Sequence, residues 1–290
     1  MITLFAIPKA FSGHAGLIQR NALASWTRLG EEVEVLLVGD DDGVAEAARE
    51  AGVHHVAEVE RTEYGTPLLS SAFAAARAAS TRRLLAYVNA DIVLLPDFVA
   101  AVRRIRLPSF LCLGRRWDVD VTEELATGGD YERRVRSLVA AGGKLALPDA
   151  IDYFVFERTG PLAELPPFAV GRPGWDNWMI HRARSLGIPV VDATRVLTAV
   201  HQNHDYAHVP ERSGYRWYGP EASANFALIE GLERFQTRHA THVLTRFGVL
   251  PALTPRRIVS RVRSRHAVDG SVERAARLAE RLARREKLGR

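Results

Sequence analysis

A single cysteine, Cys112, stands among the 290 residues, which excludes both an internal disulfide framework and a zinc cluster built on thiolates. No apolar run nears the roughly 20 residues that span a bilayer. Gly-x-Gly-x-x-Gly is missing after the first apolar run, and Gly-x-x-x-x-Gly-Lys-Ser/Thr occurs nowhere. The main signatures of dinucleotide and P-loop sites are therefore lost. No His-Glu pair has metalloprotease spacing, no repeat recurs, and no linker rich in Ser and Gly divides the chain. The opening MITLFAIPKAFSGHAG lacks the charged-then-apolar order of a secretory leader, since Lys9 follows the apolar stretch. The expectation is a soluble, cytoplasmic protein.

What remains is an ordinary globular mixture, 47% hydrophobic and 25% charged, long enough for one large domain with or without an appendage. The net charge of +5 is uneven. Residues 231–290 hold 15 Lys and Arg against 5 Asp and Glu, while the first 230 hold 24 against 29. We expect a domain over 1–215 and a basic helical appendage over 216–290. Such an appendage suits peripheral contact with the anionic inner face of a membrane; a solvated Arg-rich helix is the plainer alternative. No nucleic acid partner is expected.

Short β-branched runs alternate with helical stretches over the first 200 residues. ITLFAI (2–7), VEVLLV (33–38), VHHVAEV (53–59) and RLLAYV (83–88) read as strands, with helices over 15–29, up to about 51, and 67–79. This order implies parallel β-α-β units and a doubly wound α/β sheet. Beyond 105, FLCLG (110–114) and DYFVF (152–156) read as strands on either side of a polar stretch at 118–148. A helix follows from Trp175 to Leu186, then short strands VVDAT and LTAVHQN. From about 218 onward the chain reads as helices broken at Gly248–Pro255 and near Gly270.

Open parallel sheets bind ligands beyond the carboxyl ends of their strands. There the sequence offers Asp40-Asp41-Asp42 after the second strand and Asn89-Ala90-Asp91 after the fourth. A nucleotide site lacking the glycine signatures needs such carboxylates and a divalent cation to hold phosphates. AYVNADIVLLPDF (86–98) resembles the acidic motif of GT-A-fold glycosyltransferases, especially family-2-like enzymes, in which an Asp-x-Asp type triplet binds a metal on the donor diphosphate. The likeness covers roughly 1–210. Asn89 stands at the first acidic position, so Asp91 is the only carboxylate; Asn89 is left to bind through its amide oxygen or to contact the ribose. Asp118-Val119-Asp120 is a literal Asp-x-Asp, but it does not end a buried strand.

The resemblance implies a GT-A-like, mostly parallel sheet flanked by helices and a nucleotide-diphosphate sugar donor. Asp40 or Asp41 would accept a hydrogen bond from the base, although an Asp-rich turn needs no ligand. The family brings a C-terminal His back to the metal, here His201, with His204 and Asp205 as alternates; the ion would be Mn2+ or Mg2+. VGRPGWDNWMIHRA (170–183) resembles the segment that carries the catalytic base, here Asp176. A carboxylate suits the removal of a proton from an attacking hydroxyl, and an Asp at a helix start is otherwise a plain cap. Trp175 and Trp178 suit a wall against a sugar, and Asp152 and Tyr153 lie where similar enzymes touch the acceptor, whose identity stays open. Arg115, Arg116 and Arg172 suit a leaving diphosphate. Ser12-Gly13-His14 sits where the family places donor contacts. The expected activity is metal-assisted, inverting sugar transfer. A sugar-phosphate nucleotidyltransferase and a non-catalytic scaffold with a docking tail are the alternatives.

Overall fold

The computed structural model describes residues 1–125, 130–204, 219–229, 231 and 235–253. Three β-α steps open the chain: β1 (Ile2–Ala6), α1 (Gly13–Trp26), β2 (Val33–Val38), α2 (Val44–Ala51), β3 (His54–Val56) and α3 (Leu69–Ala79). Next come β4 (Leu84–Val88), β5 (Ile92–Leu94), α4 (Asp97–Arg103), β6 (Leu111–Leu113), β7 (Trp117–Val119), α5 (Tyr131–Gly142), β8 (Lys144–Leu145) and β9 (Tyr153–Glu157). The chain continues through α6 (Trp175–Ser185), β10 (Val190–Asp192), β11 (Ala199–Gln202), α7 (Pro220–Leu228), β12 (His242–Thr245) and β13 (Gly248–Pro251).

Nine strands form one mixed, mostly parallel sheet in the order β13-β12-β10-β6-β9-β4-β1-β2-β3. β9 is antiparallel to both neighbours and divides two parallel blocks, β12-β10-β6 and β4-β1-β2-β3, that run the same way, with β13 antiparallel at one edge. Alternate residues serve opposite faces, as the period of a strand requires. Ile2, Leu4 and Ala6 join Ala22, Trp26, Val44 and Phe98 on one face. Phe5, Leu36, Leu85 and Tyr87 meet Phe73, Met179 and Ile180 on the other. Helix α3 buries Leu69, Ala72, Phe73 and Ala76, one helical stripe, and Phe73 lies edge-on to Phe5 with ring centroids 4.9 Å apart. The α/β architecture flanked by helices follows.

A second sheet, β5-β11-β7-β8, stands beyond the carboxyl end of β4. Its own apolar patch contains Val93, Val119, Val121, Tyr131, Val135 and Val200. The stretch at 118–148, read from sequence as merely polar, thus supplies two strands and a helix.

One expectation gives way here. Residues 242–251 are a β-hairpin, not helix, and β12 pairs in parallel with β10, so this segment completes one edge of the main sheet. Val243 and Leu244 pair with β13, and the turn between the strands is closed by the Thr245 hydroxyl, which donates to the Gly248 carbonyl at 2.9 Å. Helix is present at α7, while the expected boundary at 215/216 and residues 254–290 lie outside the described residues. No helix among the described residues is long and apolar enough to cross a membrane.

Candidate functional site

Where β4 leaves the main sheet, Asn89-Ala90-Asp91 turns the chain into β5, closed by the Ile92 amide donating to the Asn89 carbonyl at 3.0 Å. The far side of this turn is pinned from α1. The Trp26 indole donates to the Ile92 carbonyl at 2.9 Å and the Leu94 amide to the Ser25 hydroxyl at 3.0 Å. The buried Gln202 amide donates to the carbonyls of Ile18 at 2.7 Å and Asp91 at 3.0 Å, and accepts from Asn21 at 2.9 Å. Each bond satisfies a buried polar group that would otherwise be costly to enclose.

β11 then brings a distant segment to the turn. It pairs antiparallel with β5, setting His201 opposite Ile92, and parallel with β7, setting His201 level with Asp118. His201 Nε2 comes within 3.5 Å of Asp91 Oδ2, and His204 Nε2 lies 3.2 Å from the same oxygen. One donor atom from each of Asp91, His201 and His204 falls within 4.8 Å of the others. Asp91 Oδ1 is buried with no hydrogen-bond partner among the described residues. A carboxylate with one uncommitted buried oxygen and two imidazoles converging on it fits a divalent cation. The electrostatics agree. Burial pushes the Asp91 carboxyl up, yet hydrogen bonds and charge from His201 and His204 outweigh it and hold the group well below the usual carboxylate range. Burial lowers His201, and the opposing carboxylate of Asp91 raises it further than burial lowers it.

Charged side chains continue from this triad to β9. His201 Nδ1 is 3.1 Å from Asp118 Oδ1. Arg116 donates to Asp118 Oδ1 at 2.9 Å and to Asp152 Oδ2 at 2.7 Å. Asp152 Oδ1 in turn accepts from the Asn89 side-chain amide at 2.6 Å. Asn89 therefore commits its amide nitrogen, not its amide oxygen, to Asp152.

Asp176 sits in the first turn of α6, after Gly174 at φ 108°, a backbone state that favours glycine. A Cβ at 174 would come 2.8 Å from Ile229 Cδ1, just beyond α7. Within α7, Asn225 bonds to the Ala169 amide at 2.9 Å and the Ala169 carbonyl at 3.1 Å, holding the loop that leads into α6. Burial, with the nearby charge of Asp152, raises the Asp176 carboxyl to about 6 against the opposing pull of backbone amides.

The other expected residues fall in varied places. Asp40 and Asp41 both pair with Arg61, the latter at 2.9 Å, and Arg61 depresses the Asp40 carboxyl. Arg115 bonds through its guanidinium to the carbonyls of Ala146 and Leu145. Arg172 pairs with the buried Glu221 at 2.6 Å. With Arg116 held between two aspartates, all three guanidiniums expected at a diphosphate are engaged within the protein. His14 lies 3.1 Å from the Val121 carbonyl. Two expectations about an acceptor fail on burial. Tyr153 is fully buried in the core, and the Trp175 ring packs against Tyr87 and Phe154 at centroid distances of 5.0 and 4.8 Å. Neither presents a face to a sugar. Asp205 lies outside the described residues. Gln202 and Asn21 escaped the sequence reading, and Asp118 was read as a loop or exposed strand face. A lone buried Gln carries no motif, and only the β7–β11 register brings Asp118 to His201.

No family profile and no curated protein matches the sequence. Among solved structures, the chain is similar to the mannosyltransferase PcManGT from Pyrobaculum calidifontis, in complex with GDP-Man and Mn2+. Identity is 19% over 74% of this chain and 59% of that chain, with a TM-score of 0.45. A mycobacterial protein is similar at 20% identity, over 79% of this chain and 73% of that one, with a TM-score of 0.47. Glucosyl-3-phosphoglycerate synthase from Mycobacterium tuberculosis, in complex with Mg2+ and UDP, shares 17% identity over 87% and 90% of the two chains, with a TM-score of 0.44. The chain thus spans less than two thirds of the mannosyltransferase. Likeness of this size carries no functional weight, and what the chain does has to be read from its own residues.

Proposed function

We propose that the chain is a metal-assisted glycosyltransferase that moves a sugar from a nucleotide-diphosphate donor to an acceptor hydroxyl. The observation that carries this reading is the convergence of Asp91, His201 and His204 beyond the carboxyl end of β4. In an open α/β sheet that end is where phosphate-bearing ligands bind. Asp91, His201 and His204 would hold Mn2+ or Mg2+, which when bound neutralises charge on a leaving diphosphate. Asp176 is the base in this reading. Its carboxylate takes the proton of the acceptor hydroxyl as the hydroxyl oxygen bonds to the anomeric carbon. The bond from that carbon to the diphosphate oxygen breaks, the diphosphate departs with the electron pair, and the anomeric configuration inverts. A carboxyl near 6 is a stronger base than a free aspartate and is still ionised at neutral pH. Asp40 or Asp41 would reach the nucleobase only by exchanging Arg61 for it. The basic segment 254–290 is assigned peripheral contact with an anionic membrane.

The test is thermal unfolding with UDP, GDP, dTDP or CMP, each with Mn2+, Mg2+ or chelator. A ligand at a hundredfold excess over its Kd stabilises by about 2.7 kcal/mol. A metal-dependent rise with one nucleotide is expected, followed by transfer from the matching sugar nucleotide with inversion. A retained product removes Asp176 from its role. The absence of any rise favours the scaffold alternative.

A further inference from the structure

The β12–β13 hairpin ends in a fixed tip. Thr245 and Gly248 form the last pair of its ladder, so the turn itself is Arg246-Phe247. The Thr245 hydroxyl donates to the Gly248 carbonyl at 2.9 Å and accepts from the Phe247 amide at 3.1 Å. Gly248 takes φ 122°, a backbone state that favours glycine. The ladder then sorts side chains by face. Leu244 and Val249, opposite one another, pack into the core, and the adjacent pair Val243 and Leu250 belongs to the other face. Phe247, Leu250 and Leu253 are 81%, 50% and 67% exposed, and none joins a core cluster. Apolar side chains scattered singly over a surface need no explanation, but three between 247 and 253 do.

Charge separates the occupants such a patch could take. Residues 234–268 hold eight Arg and no Asp or Glu, and the hairpin lies inside that run. The Arg246 guanidinium stands over the Phe247 ring, 4.5 Å from its centroid, so the tip joins an apolar ring to a cation. A second copy of the chain would bring the same positive charge to the contact, and repulsion opposes it. β13 is also a poor template for strand addition, being four residues long and ending in Pro251. An anionic bilayer answers both features. Its headgroups attract the cations, and its acyl boundary takes the apolar side chains. One such signal gives only marginal membrane binding, whereas two together hold.

The tip also has a direction. β12 runs parallel to β10 and β10 to β6, and β9 reverses twice between β6 and β4, so β12 and β4 run the same way. The hairpin therefore turns off the same edge of the sheet as Asp91. We propose that the β12–β13 hairpin is a membrane-docking element. Phe247, with Leu250 and Leu253, enters the boundary between headgroups and acyl chains of an anionic bilayer, and Arg246 stays among the headgroups. The edge that bears Asp91 is thereby turned toward the lipid. The inference rests on the membrane contact assigned above to 254–290 and names the part of the fold that enters the bilayer.

The experiment labels the tip in the full chain. Cys112 is fully buried, so an environment-sensitive maleimide dye attaches only to an introduced cysteine. One is Arg246→Cys; the other is the exposed Thr81→Cys, ahead of β4 at the opposite end of the sheet. With vesicles of phosphatidylcholine and phosphatidylglycerol, the dye at 246 is expected to shift to the blue and to be quenched by nitroxide-bearing lipid. The dye at 81 should do neither. In co-sedimentation, Phe247→Glu should lower the vesicle partition coefficient at least about tenfold, and Phe247→Leu should keep most of it. An unshifted dye at 246 on a chain that sediments with the vesicles overturns the hairpin's role, as does parent-like binding by Phe247→Glu. Either result leaves contact through 254–290 standing. A full chain that binds no anionic vesicle removes both. A blue shift at 246 without lipid, growing with protein concentration, assigns the patch to a second copy and overturns the proposal. Should Phe247→Glu not fold, the two dyes still decide. Neither metal nor nucleotide is present, so the outcome is independent of the glycosyltransferase reading.

Discussion

Asp176 carries a cost that its proposed role explains. Its carboxyl is raised to about 6 from an ordinary 3.8, so the fold disfavours the ionised form. Below pH 3.8 both folded and unfolded states hold the proton, and the residue costs nothing. Between that pH and 6 the unfolded chain releases its proton first, so stability falls as pH rises and then levels off. At about 1.4 kcal/mol per unit, the full cost is on the order of 1–3 kcal/mol. Asp176→Asn should therefore match the parent near pH 4 and exceed it by that amount at pH 8, in paired denaturant titrations. Its turnover should be lost while nucleotide binding persists. The parent's own turnover should decline as pH drops through 6 and the base takes up a proton. Asn89→Asp tests the neighbouring feature. A carboxylate there would face Asp152, so thermal unfolding should show a loss of about 1–3 kcal/mol at neutral pH that shrinks in acid, where one of the pair is protonated. Aspartates that end an apolar run, such as Asp91, stand out in a sequence because polar groups there mark strand ends. Tyr153 and Trp175 misled because an aromatic beside polar residues reads the same whether it faces solvent or core.

At the scale of elements, the site depends on two pieces of short structure. β7 and β5 have three residues each and β11 has four, lengths at which apolar alternation is too brief to distinguish a strand from a loop. The central main-sheet strands β1, β4, β6 and β9 were legible because they are buried and continuously apolar; of the small sheet only β11 was read as a strand, and with β7 unread went the contact of Asp118 with His201. The β12–β13 hairpin was lost for a related reason, since HVLT and GVLP sit in an Arg-rich region whose composition favours helix. The second piece is the loop between Ala169 and α6, held by Asn225. Gly174→Ala forces a non-glycine residue to φ 108° and sets its Cβ 2.8 Å from Ile229 Cδ1. The expected result is a loss of about 1–3 kcal/mol in chemical unfolding. Turnover should drop further than global stability alone explains, because the same turn aims Asp176.

For the whole molecule, the two parallel blocks direct the ends of β1, β2, β4, β6, β10 and β12 to one edge, and Asp91 stands on it. The doubly wound architecture was the most legible property of the chain, since it follows from strand–helix alternation over 200 residues. The C-terminal segment belongs to this scale too. Residues 254–290 hold 12 Lys and Arg against 4 Asp and Glu, and they follow an edge that exposes Phe247 and Leu253. Vesicles containing anionic lipid should bind the full chain at low salt and release it as ionic strength shortens the screening length to about 8 Å. A chain ending at Leu253 should bind neither anionic nor neutral vesicles, read by co-sedimentation.

His204 and Asp91 are 113 positions apart in the chain. A cation held by both would act as a cross-link closing a very long loop, in a protein whose lone cysteine forbids the covalent kind. Closing a loop of about 100 residues removes on the order of 4–5 kcal/mol of unfolded-chain entropy in the simplest treatment. An ion proposed for the chemistry would then also be a staple between two distant parts of the chain, and its removal by chelator should lower the unfolding midpoint.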